Sequence, residues 1–209
     1  MMNILVMSDL HSRINYFIID DLVKKHSAGI VFLLGDLTNF GPPEIVLDLK
    51  SGLVDVIAIP GNCDPVQVLD FIDRAKIINA HRKKIIIKNF EIVGLGGSDR
   101  DFVNMGIYFD DNDAYEFLSK NLTENSYLLL HQPPYGILDT VRTGNGGNRG
   151  IRKAVFEKRP RVVFSGHIHE ARGMEDINGI KFINPGAARD GNYAVFNTDT
   201  MNVEFLNFE

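Results

Sequence analysis

The stretch NILVMSDLH, residues 3–11, decides how the rest of the chain is interpreted. Its first five residues form an apolar run with the length of a buried strand, which ends at a serine and an aspartate. Asp9 and His11 are two residues apart, so in an extended backbone both side chains point to the same side. A buried strand followed by polar side chains is typical of parallel α/β sheets, where ligands collect at the carboxyl ends of the strands.

The same pattern of a buried strand with a polar ending recurs twice further along the chain. One apolar run ends at Gly35-Asp36, and another ends at Pro60-Gly61-Asn62. Helices are predicted between the strands, the first from an apolar stripe that includes Phe17 and Leu22. The predicted order is strand Asn3 to Met7, helix Ile14 to His26, strand Ile30 to Leu34, helix Pro42 to Leu49 and strand Val54 to Ile59.

The later part of the sequence predicts more strands and two more helices, partly in antiparallel pairs. Asn178-Gly179 between two short apolar runs is a strong signal for a type I′ hairpin, and Asn89-Phe90 separates another such pair. Two mixed sheets packed together, with helices outside, fit this order. The predicted strands are Lys84 to Lys88, Glu91 to Leu95, Tyr127 to Leu130, Val162 to Phe164, Gly173 to Ile177, Ile180 to Ile183, Tyr193 to Asn197 and Asn202 to Phe208, and the helices are Asp110 to Leu122 and Arg149 to Lys158.

The composition excludes several classes of protein. With 209 residues, 44% of them hydrophobic, the chain can bury the core of one domain, which we expect to span residues 1–209. No apolar run approaches the roughly 20 residues that cross a bilayer, and the first residues lack the features of a signal peptide, so we expect a cytoplasmic protein without membrane association. The single cysteine, Cys63, excludes a thiolate-caged metal site, and the net charge of -5 disfavours nucleic acid as a partner.

Polar residues that can bind metals are concentrated at the predicted strand ends. Taken singly, an aspartate after a strand is usually a cap or turn residue, and a lone histidine is usually structural, as we expect for His26 and His81. Turn chemistry does not explain why Asp-x-His, Gly-Asp, Gly-Asn, a strand-terminal histidine and Gly-His-x-His should all occur at strand ends of one chain. The combination indicates a metal site with oxygen and nitrogen ligands.

These motifs have a recognisable order along nearly the whole chain. They are Asp9-Leu10-His11, Gly35-Asp36, Gly61-Asn62-Cys63-Asp64, His131-Gln132-Pro133-Pro134-Tyr135-Gly136, Gly166-His167-Ile168-His169 and Asn184-Pro185-Gly186. In this order the sequence resembles the calcineurin-like metallophosphoesterase family, and within it the small prokaryotic phosphodiesterase branch. The resemblance implies an α/β fold, a four-layer α/β/β/α sandwich with two mixed β-sheets.

The resemblance also implies a site with two divalent metal ions, and mixed imidazole and carboxylate ligands suit manganese, iron, nickel or zinc. Two such ions activate a shared water, so the implied function is hydrolysis of phosphoesters, above all small phosphodiesters, by metal-activated hydroxide. A phosphomonoesterase or nuclease with the same site, and a non-catalytic scaffold of the same fold, are the alternatives. The sequence determines neither the substrate nor the oligomeric state. The implied ligands are Asp9, His11 and His169 for one ion, Asn62, His131 and His167 for the other, and Asp36 as the bridge.

Two residues after Gly61 each have two interpretations. Much of the family has a histidine that protonates the leaving oxygen where this chain has Cys63, which makes Cys63 a candidate catalytic residue, although a thiol is a weaker acid than imidazolium. The alternative is that Cys63 packs as a small buried side chain. Asp64 either supports a neighbouring ligand or caps a helix that begins at Pro65. Further candidates for binding a substrate phosphate are Arg142, Arg149 and Arg152, beside the glycine-rich segment.

Overall fold

The computed structural model describes residues 2–99 and 106–208. The strands are β1 (Asn3–Met7), β2 (Ala28–Leu34), β3 (Asp55–Ile59), β4 (Ile78–Asn79), β5 (Lys83–Ile87), β6 (Phe90–Leu95), β7 (Ser98–Asp99), β8 (Tyr108–Phe109), β9 (Ser126–Leu130), β10 (Thr140–Val141), β11 (Gly144–Asn145), β12 (Val162–Phe164), β13 (Gly173–Ile177), β14 (Ile180–Asn184), β15 (Asn192–Asn197) and β16 (Val203–Asn207). The helices are α1 (Tyr16–His26), α2 (Val68–Arg74), α3 (Asp111–Asn121) and α4 (Arg149–Lys158), and 3-10 helices span Pro43–Leu49, His169–Ala171 and Ala188–Asp190.

Two six-stranded sheets form the centre of the molecule. The first has the strand order β16-β15-β1-β2-β3-β4, and the second has the order β13-β14-β12-β9-β6-β5. Strands β1 to β4 run parallel to one another, as do β6, β9, β12 and β14. Antiparallel strands are added at the outer positions of both sheets. The predicted sandwich of two mixed sheets is confirmed.

The alternation of side chains along each central strand explains why the layers stack. In β1, Ile4 and Val6 pack between the two sheets, whereas Leu5 and Met7 pack against the helices on the outer face. All four side chains are fully buried. A strand buried on both faces needs an uninterrupted apolar run, which is what the sequence has here. Helices α3 and α4 cover the second sheet in the same way.

Helix α1 shows where the sequence prediction was partly wrong. The Oδ1 atom of Asn15 accepts hydrogen bonds from two backbone N–H groups of the first turn, at 3.1 and 3.3 Å, so the helix begins two residues later than predicted. Within the helix Phe17 is 63% exposed, and Ile19 and Val23 join Leu22 in the core. The apolar stripe therefore lies one position further round the helix than its spacing suggested.

Two other predicted elements differ from the structure. The helical stretch from Pro42 to Leu49 is a 3-10 helix. In the first hairpin the turn residues are Lys88 and Asn89, both with positive φ, instead of Asn89 and Phe90. The Phe90 ring packs 5.1 Å from the Tyr127 ring, so this residue belongs to the strand. No helix in the described ranges is long and apolar enough to cross a bilayer.

His81 lies just before β5 and binds the backbone just after β6, so it joins the two open ends of the β5–β6 hairpin. Its Nδ1 accepts a hydrogen bond from the backbone N–H of Gly96 at 3.1 Å, which requires that this nitrogen is unprotonated. Burial lowers the pKa of His81 to about 4, and the charges of Arg82 and Lys83 act in the same direction. As expected from the sequence, His81 has a structural role.

We predict that His81→Asn makes stability less sensitive to acid. Below about pH 6.5 the unfolded wild-type chain binds a proton at His81 that the folded chain binds only near pH 4, so the free energy of unfolding falls across this window, by an amount on the order of 2 kcal/mol. An asparagine amide oxygen can accept the same hydrogen bond without titrating. Denaturant unfolding at pH 7 and about pH 4.5 should show a smaller loss in the variant, and equal losses would contradict this role.

Candidate functional site

The sequence-predicted site residues meet at one edge of the sandwich. Five strands of the two sheets, β1, β2, β3, β9 and β12, end at this edge, and one or more of the predicted residues follow each of them. Parallel strands direct their carboxyl ends to a common edge, which explains why residues far apart in sequence converge. The structure brings together Asp9, His11, Asp36, Asn62, His131, His167 and His169.

Asp9 is the centre of one half of the site. Its Oδ1 lies 3.2 Å from Nε2 of His169, and its Oδ2 accepts a hydrogen bond from the backbone N–H of His167 at 3.0 Å. One donor atom each of Asp9, His11 and His169 lies within 4.8 Å of the others. The Asp9 side chain is almost completely buried. These three residues form a compact set of one carboxylate and two imidazoles.

Asp36 connects this half of the site to the other. Its Oδ2 lies 3.6 Å from Nε2 of His11, whereas its Oδ1 lies 3.4 Å from Nε2 of His131. Oδ1 also accepts a hydrogen bond from the backbone N–H of Cys63 at 2.8 Å, which fixes the orientation of the carboxylate. The two oxygens of one buried side chain therefore face two different groups of imidazoles.

The tautomer of His131 follows from its hydrogen bonds. Nδ1 lies 2.8 Å from the carbonyl oxygen of Leu34, which can only accept, so Nδ1 carries the proton and donates. In the neutral ring Nε2 then has a lone pair that faces Oδ1 of Asn62 at 3.0 Å and Oδ1 of Asp36. Three acceptors that point at one another are stable only around a proton or a cation. The ring of His167 lies 5.0 Å from that of His131 and completes this half.

The pKa values of the site residues differ with their surroundings. The close contact with the Asp9 carboxylate raises the pKa of His169. Burial lowers the pKa of His167 to about 4, and the proximity of His131 adds to this effect. Burial by itself raises the pKa of Asp9, but the contact with His169 and the nearby imidazoles more than offset this, so its pKa is lowered. An ionised Asp9 beside neutral His11 and His167 has the protonation states that a metal ion requires of its ligands.

His11 gives an independent indication of a missing partner. Both of its ring nitrogens are buried, and neither has a hydrogen-bond partner among residues 2–99 and 106–208. Burial lowers the pKa of this imidazole, so a proton is not the preferred partner. A buried polar atom without a partner is rare in folded proteins and indicates a ligand. The site therefore fits a metal on the chemistry of its donors and on this unpaired side chain.

The backbone is strained at four of the seven residues. Asp9, His11, Asp36 and His167 have φ values of 56°, 44°, 49° and 66°, in the left-handed region that residues other than glycine seldom adopt. Each such residue costs on the order of 1 kcal/mol and persists only where surrounding contacts impose it. Strain concentrated in this way is a common property of functional sites.

Two glycines allow the strand ends to approach one another. A Cβ atom on Gly61 would lie 2.1 Å from Oδ1 of Asp36, and one on Gly166 would lie 1.7 Å from Oγ of Ser8 and 2.8 Å from Oδ2 of Asp9. Neither position has room for a side chain. The glycines that precede Asn62 and His167 in the sequence motifs are therefore required by close packing around the carboxylates.

The structure distinguishes between the two interpretations of Cys63 and between those of Asp64. Cys63 is half-buried, and its Sγ lies within 4.8 Å of donor atoms of His11 and Asp36, so it faces the site and is not packed into the core. The interpretation of Asp64 as a helix cap was wrong, because α2 begins at Val68. Its buried carboxylate instead accepts from the backbone N–H groups of Gly61, Leu37 and Thr38, at 2.7, 3.0 and 2.7 Å. Burial, together with the charge of Asp36, raises the pKa of Asp64 to about 6.

Two of the three candidate arginines contact Tyr135. The guanidinium of Arg149 stacks 3.6 Å above the ring of Tyr135, and Arg152 donates to the Tyr135 carbonyl oxygen at 2.8 Å. A residue that the sequence analysis missed, Arg189, instead contacts the site, because its backbone N–H donates to the carbonyl oxygen of Asp9 at 3.1 Å. The sequence signal for Arg189 is its position shortly after the motif Asn184-Pro185-Gly186.

Comparison with known proteins agrees with this geometry. The family model of the calcineurin-like phosphoesterase superfamily domain matches residues 2–201. The chain belongs to this superfamily. An uncharacterized protein of Methanocaldococcus jannaschii is 32% identical over 209 residues, which cover 94% of this chain and 92% of that protein. Metal dependence is a property of the calcineurin-like phosphoesterases, and the aspartate and histidine groups described above could bind metal.

Solved structures of distant relatives share the fold. An archaeal phosphodiesterase has a TM-score of 0.60 at 15% identity and covers 99% of this chain and 100% of its own. A dimetal phosphatase from Danio rerio has a TM-score of 0.56 at 11% identity and covers 100% of this chain and 99% of its own. At these identities the comparison demonstrates the calcineurin-like fold alone.

We predict that Gly61→Ala destabilises the protein by about 1–3 kcal/mol, because the added methyl group must displace the Asp36 carboxylate and its backbone. Gly52→Ala is the matched control, since its nearest contact is Oδ2 of Asp20 at 3.5 Å, an ordinary van der Waals distance. Denaturant unfolding of both variants measures the difference. If the two variants were equally stable, the close approach of Gly61 to Asp36 would not be required.

Proposed function

We propose that this protein hydrolyses small phosphodiesters with the help of two divalent metal ions. The observation that carries the proposal is the position of Asp36, whose two carboxylate oxygens face His11 on one side and His131 on the other. A bridging carboxylate between two sets of ligands is the arrangement that a dinuclear centre needs. We further propose that residues 1–209 form one catalytic domain, and that the protein acts on a small substrate in the cytoplasm.

The proposed ligand sets follow the two halves of the site. The first set is compact, with donor atoms within 4.8 Å of one another. The second contains the Asn62 amide oxygen, 3.0 Å from Nε2 of His131. Mixed oxygen and imidazole ligands favour manganese, iron, nickel or zinc over calcium. The sets are Asp9, His11 and His169, then Asn62, His131 and His167, with Asp36 shared.

The chain's own residues prepare the site for this chemistry. When bound, two such ions lower the pKa of a shared water and offset the charge of the phosphoryl oxygens. The Leu34 carbonyl holds His131 in the tautomer that leaves Nε2 free. The Asp64 carboxylate fastens the backbone after β2 to the backbone after β3, so Asp36 and Asn62 keep their separation.

Hydrolysis of a phosphodiester adds the elements of water across one P–O ester bond, and the leaving oxygen must gain a proton. Burial, followed by the charge of Asp36, raises the pKa of Cys63, so its thiol stays protonated and does not act as a nucleophile. A thiol of raised pKa is a weak acid, which favours substrates whose leaving oxygen needs little protonation. Such leaving groups include aryl alcohols.

The walls of the site are consistent with a small organic ester. Phe40 donates its backbone N–H to the Cys63 carbonyl oxygen at 2.9 Å, so an aromatic residue that is 46% exposed follows the strand ends. The overall charge of -5 disfavours a long nucleic acid. The archaeal phosphodiesterase and the dimetal phosphatase of the same fold support a phosphoesterase. A monoesterase, a nuclease and a non-catalytic scaffold remain the alternatives that the assays below must separate.

We predict that purified protein contains bound metal and hydrolyses an aryl phosphodiester such as bis(4-nitrophenyl) phosphate. Chelation should abolish turnover, and addition of manganese should restore it. The reason is that the ring nitrogens of His11 have no hydrogen-bond partner within the described residues, and a bound metal would supply one. Elemental analysis and initial rates are the measurements. Metal-free protein that manganese does not rescue would exclude catalysis and leave the scaffold. Parallel assays on a monoester and on single-stranded DNA distinguish the other two alternatives.

We predict different consequences for Asp36→Asn and Cys63→Ala. The first change replaces one oxygen of the carboxylate that both ligand sets share with an NH2 group and removes its charge, so kcat/KM should fall by at least about 100-fold, together with metal content. The second should reduce kcat/KM on an aryl diester by less than about 10-fold, with a larger loss on an alkyl diester, which needs a stronger acid. Equal losses in the two variants on the aryl substrate would refute this ranking.

A further inference from the structure

Arg189 lies at the site although it is far from the other site residues in sequence. Ala187 forms a bridge with Ser8, and the backbone N–H of Ala188 donates to the Ser8 carbonyl oxygen at 2.8 Å. The N–H of Arg189 then donates to the Asp9 carbonyl oxygen at 3.1 Å. The backbone of Arg189 is therefore held next to the strand end that carries Asp9, in a short 3-10 helix.

The guanidinium of Arg189 is available for a ligand. Its one ion pair within the described ranges is with Asp190, where Nε lies 3.7 Å from Oδ2 and the side chains are 38% and 55% exposed. A pair of this length between exposed groups contributes little and is readily exchanged. By contrast, Arg149 is stacked on Tyr135 and Arg152 is hydrogen-bonded to the same residue, so their guanidinium groups have contacts already.

Arg189 lies beside the half of the site that contains Asp9, because its backbone N–H is hydrogen-bonded to the carbonyl oxygen of this ligand at 3.1 Å. The imidazole rings of His11 and His169 complete this half of the site and lie 5.4 Å apart. The Arg189 side chain is partly exposed and starts from a backbone held against Asp9, so it is long enough to reach an anion bound there.

We propose that Arg189 binds the non-bridging oxygens of the substrate's phosphoryl group and of the phosphate-bearing product. A planar guanidinium presents parallel N–H donors that match two oxygens of a phosphate, which an ammonium group cannot do. The residue is a substrate-binding group that orients phosphorus over the strand ends. This inference rests on the proposed function, because it assigns a binding role within the same site.

The test compares Arg189→Gln, Arg189→Lys and Arg74→Gln with the wild type, all loaded with manganese. Arg74 is the control, because it ends α2 and lies over the Phe71 ring, 4.5 Å from its centroid. Inorganic phosphate binding by isothermal titration calorimetry is the main measurement, and elemental analysis and thermal unfolding accompany it. We expect phosphate to bind about 10-fold or more weakly to Arg189→Gln, a few-fold more weakly to Arg189→Lys, and unchanged to Arg74→Gln, with equal metal content throughout.

The outcomes separate this inference from the function on which it rests. If Arg189→Gln folds, retains metal and binds phosphate within about twofold of the wild type, the inference is wrong while the proposed function stands. If Arg189→Gln does not fold, Arg189→Lys, which keeps the charge, tests the inference instead. A phosphate affinity of Arg189→Lys equal to that of the wild type would then overturn the assignment. A wild-type protein that holds no metal and hydrolyses no ester would contradict the proposed function and the inference with it.

Discussion

The buried carboxylate of Asp36 constrains the rest of the site more than any other group. It has less than a tenth of its surface exposed, and its oxygens point at Nε2 of His11 and of His131, which belong to different sheets of the sandwich. A charge in this position is stable only if its orientation is fixed and its partners are close. The Cys63 N–H fixes the orientation, and Gly61 leaves the space that the carboxylate occupies.

The fold supplies the rigidity that such a site requires. Three apolar layers, one between the sheets and one on each outer face, hold the strands so that their carboxyl ends meet at one edge. The left-handed backbone at Asp9, His11, Asp36 and His167 is unfavourable in an isolated chain and persists because these layers fix the strands on either side. The packed sheets stabilise the fold, and the strained backbone at the strand ends, where the donors are arranged for a ligand, offsets part of this stabilisation.

Much of the architecture could be predicted because its signals are local. The bounds of β1, β12, β13 and α4 agree with the prediction residue for residue, since each is delimited by a clear change from apolar to turn-forming residues or by a cap. The errors occurred where tertiary contacts compete with local preference. Phe90 joined a strand because Tyr127 packs against it, and in α1 the core contacts are made by Ile19 and Val23 instead of Phe17.

By itself the sequence determined which residue types stand at which strand ends, and so the set of oxygen and nitrogen donors, because strand and turn signals are read over a few neighbouring residues. Only the tertiary structure decided how those donors face one another. The tautomer of His131 depends on a carbonyl oxygen of β2, the position of Asp64 on N–H groups of two loops, and the proximity of Arg189 on the carbonyl oxygen of Asp9. A backbone atom takes part in each of these contacts, and nearly every residue has the same backbone atoms, so the pattern of side-chain types does not determine the geometry of these contacts.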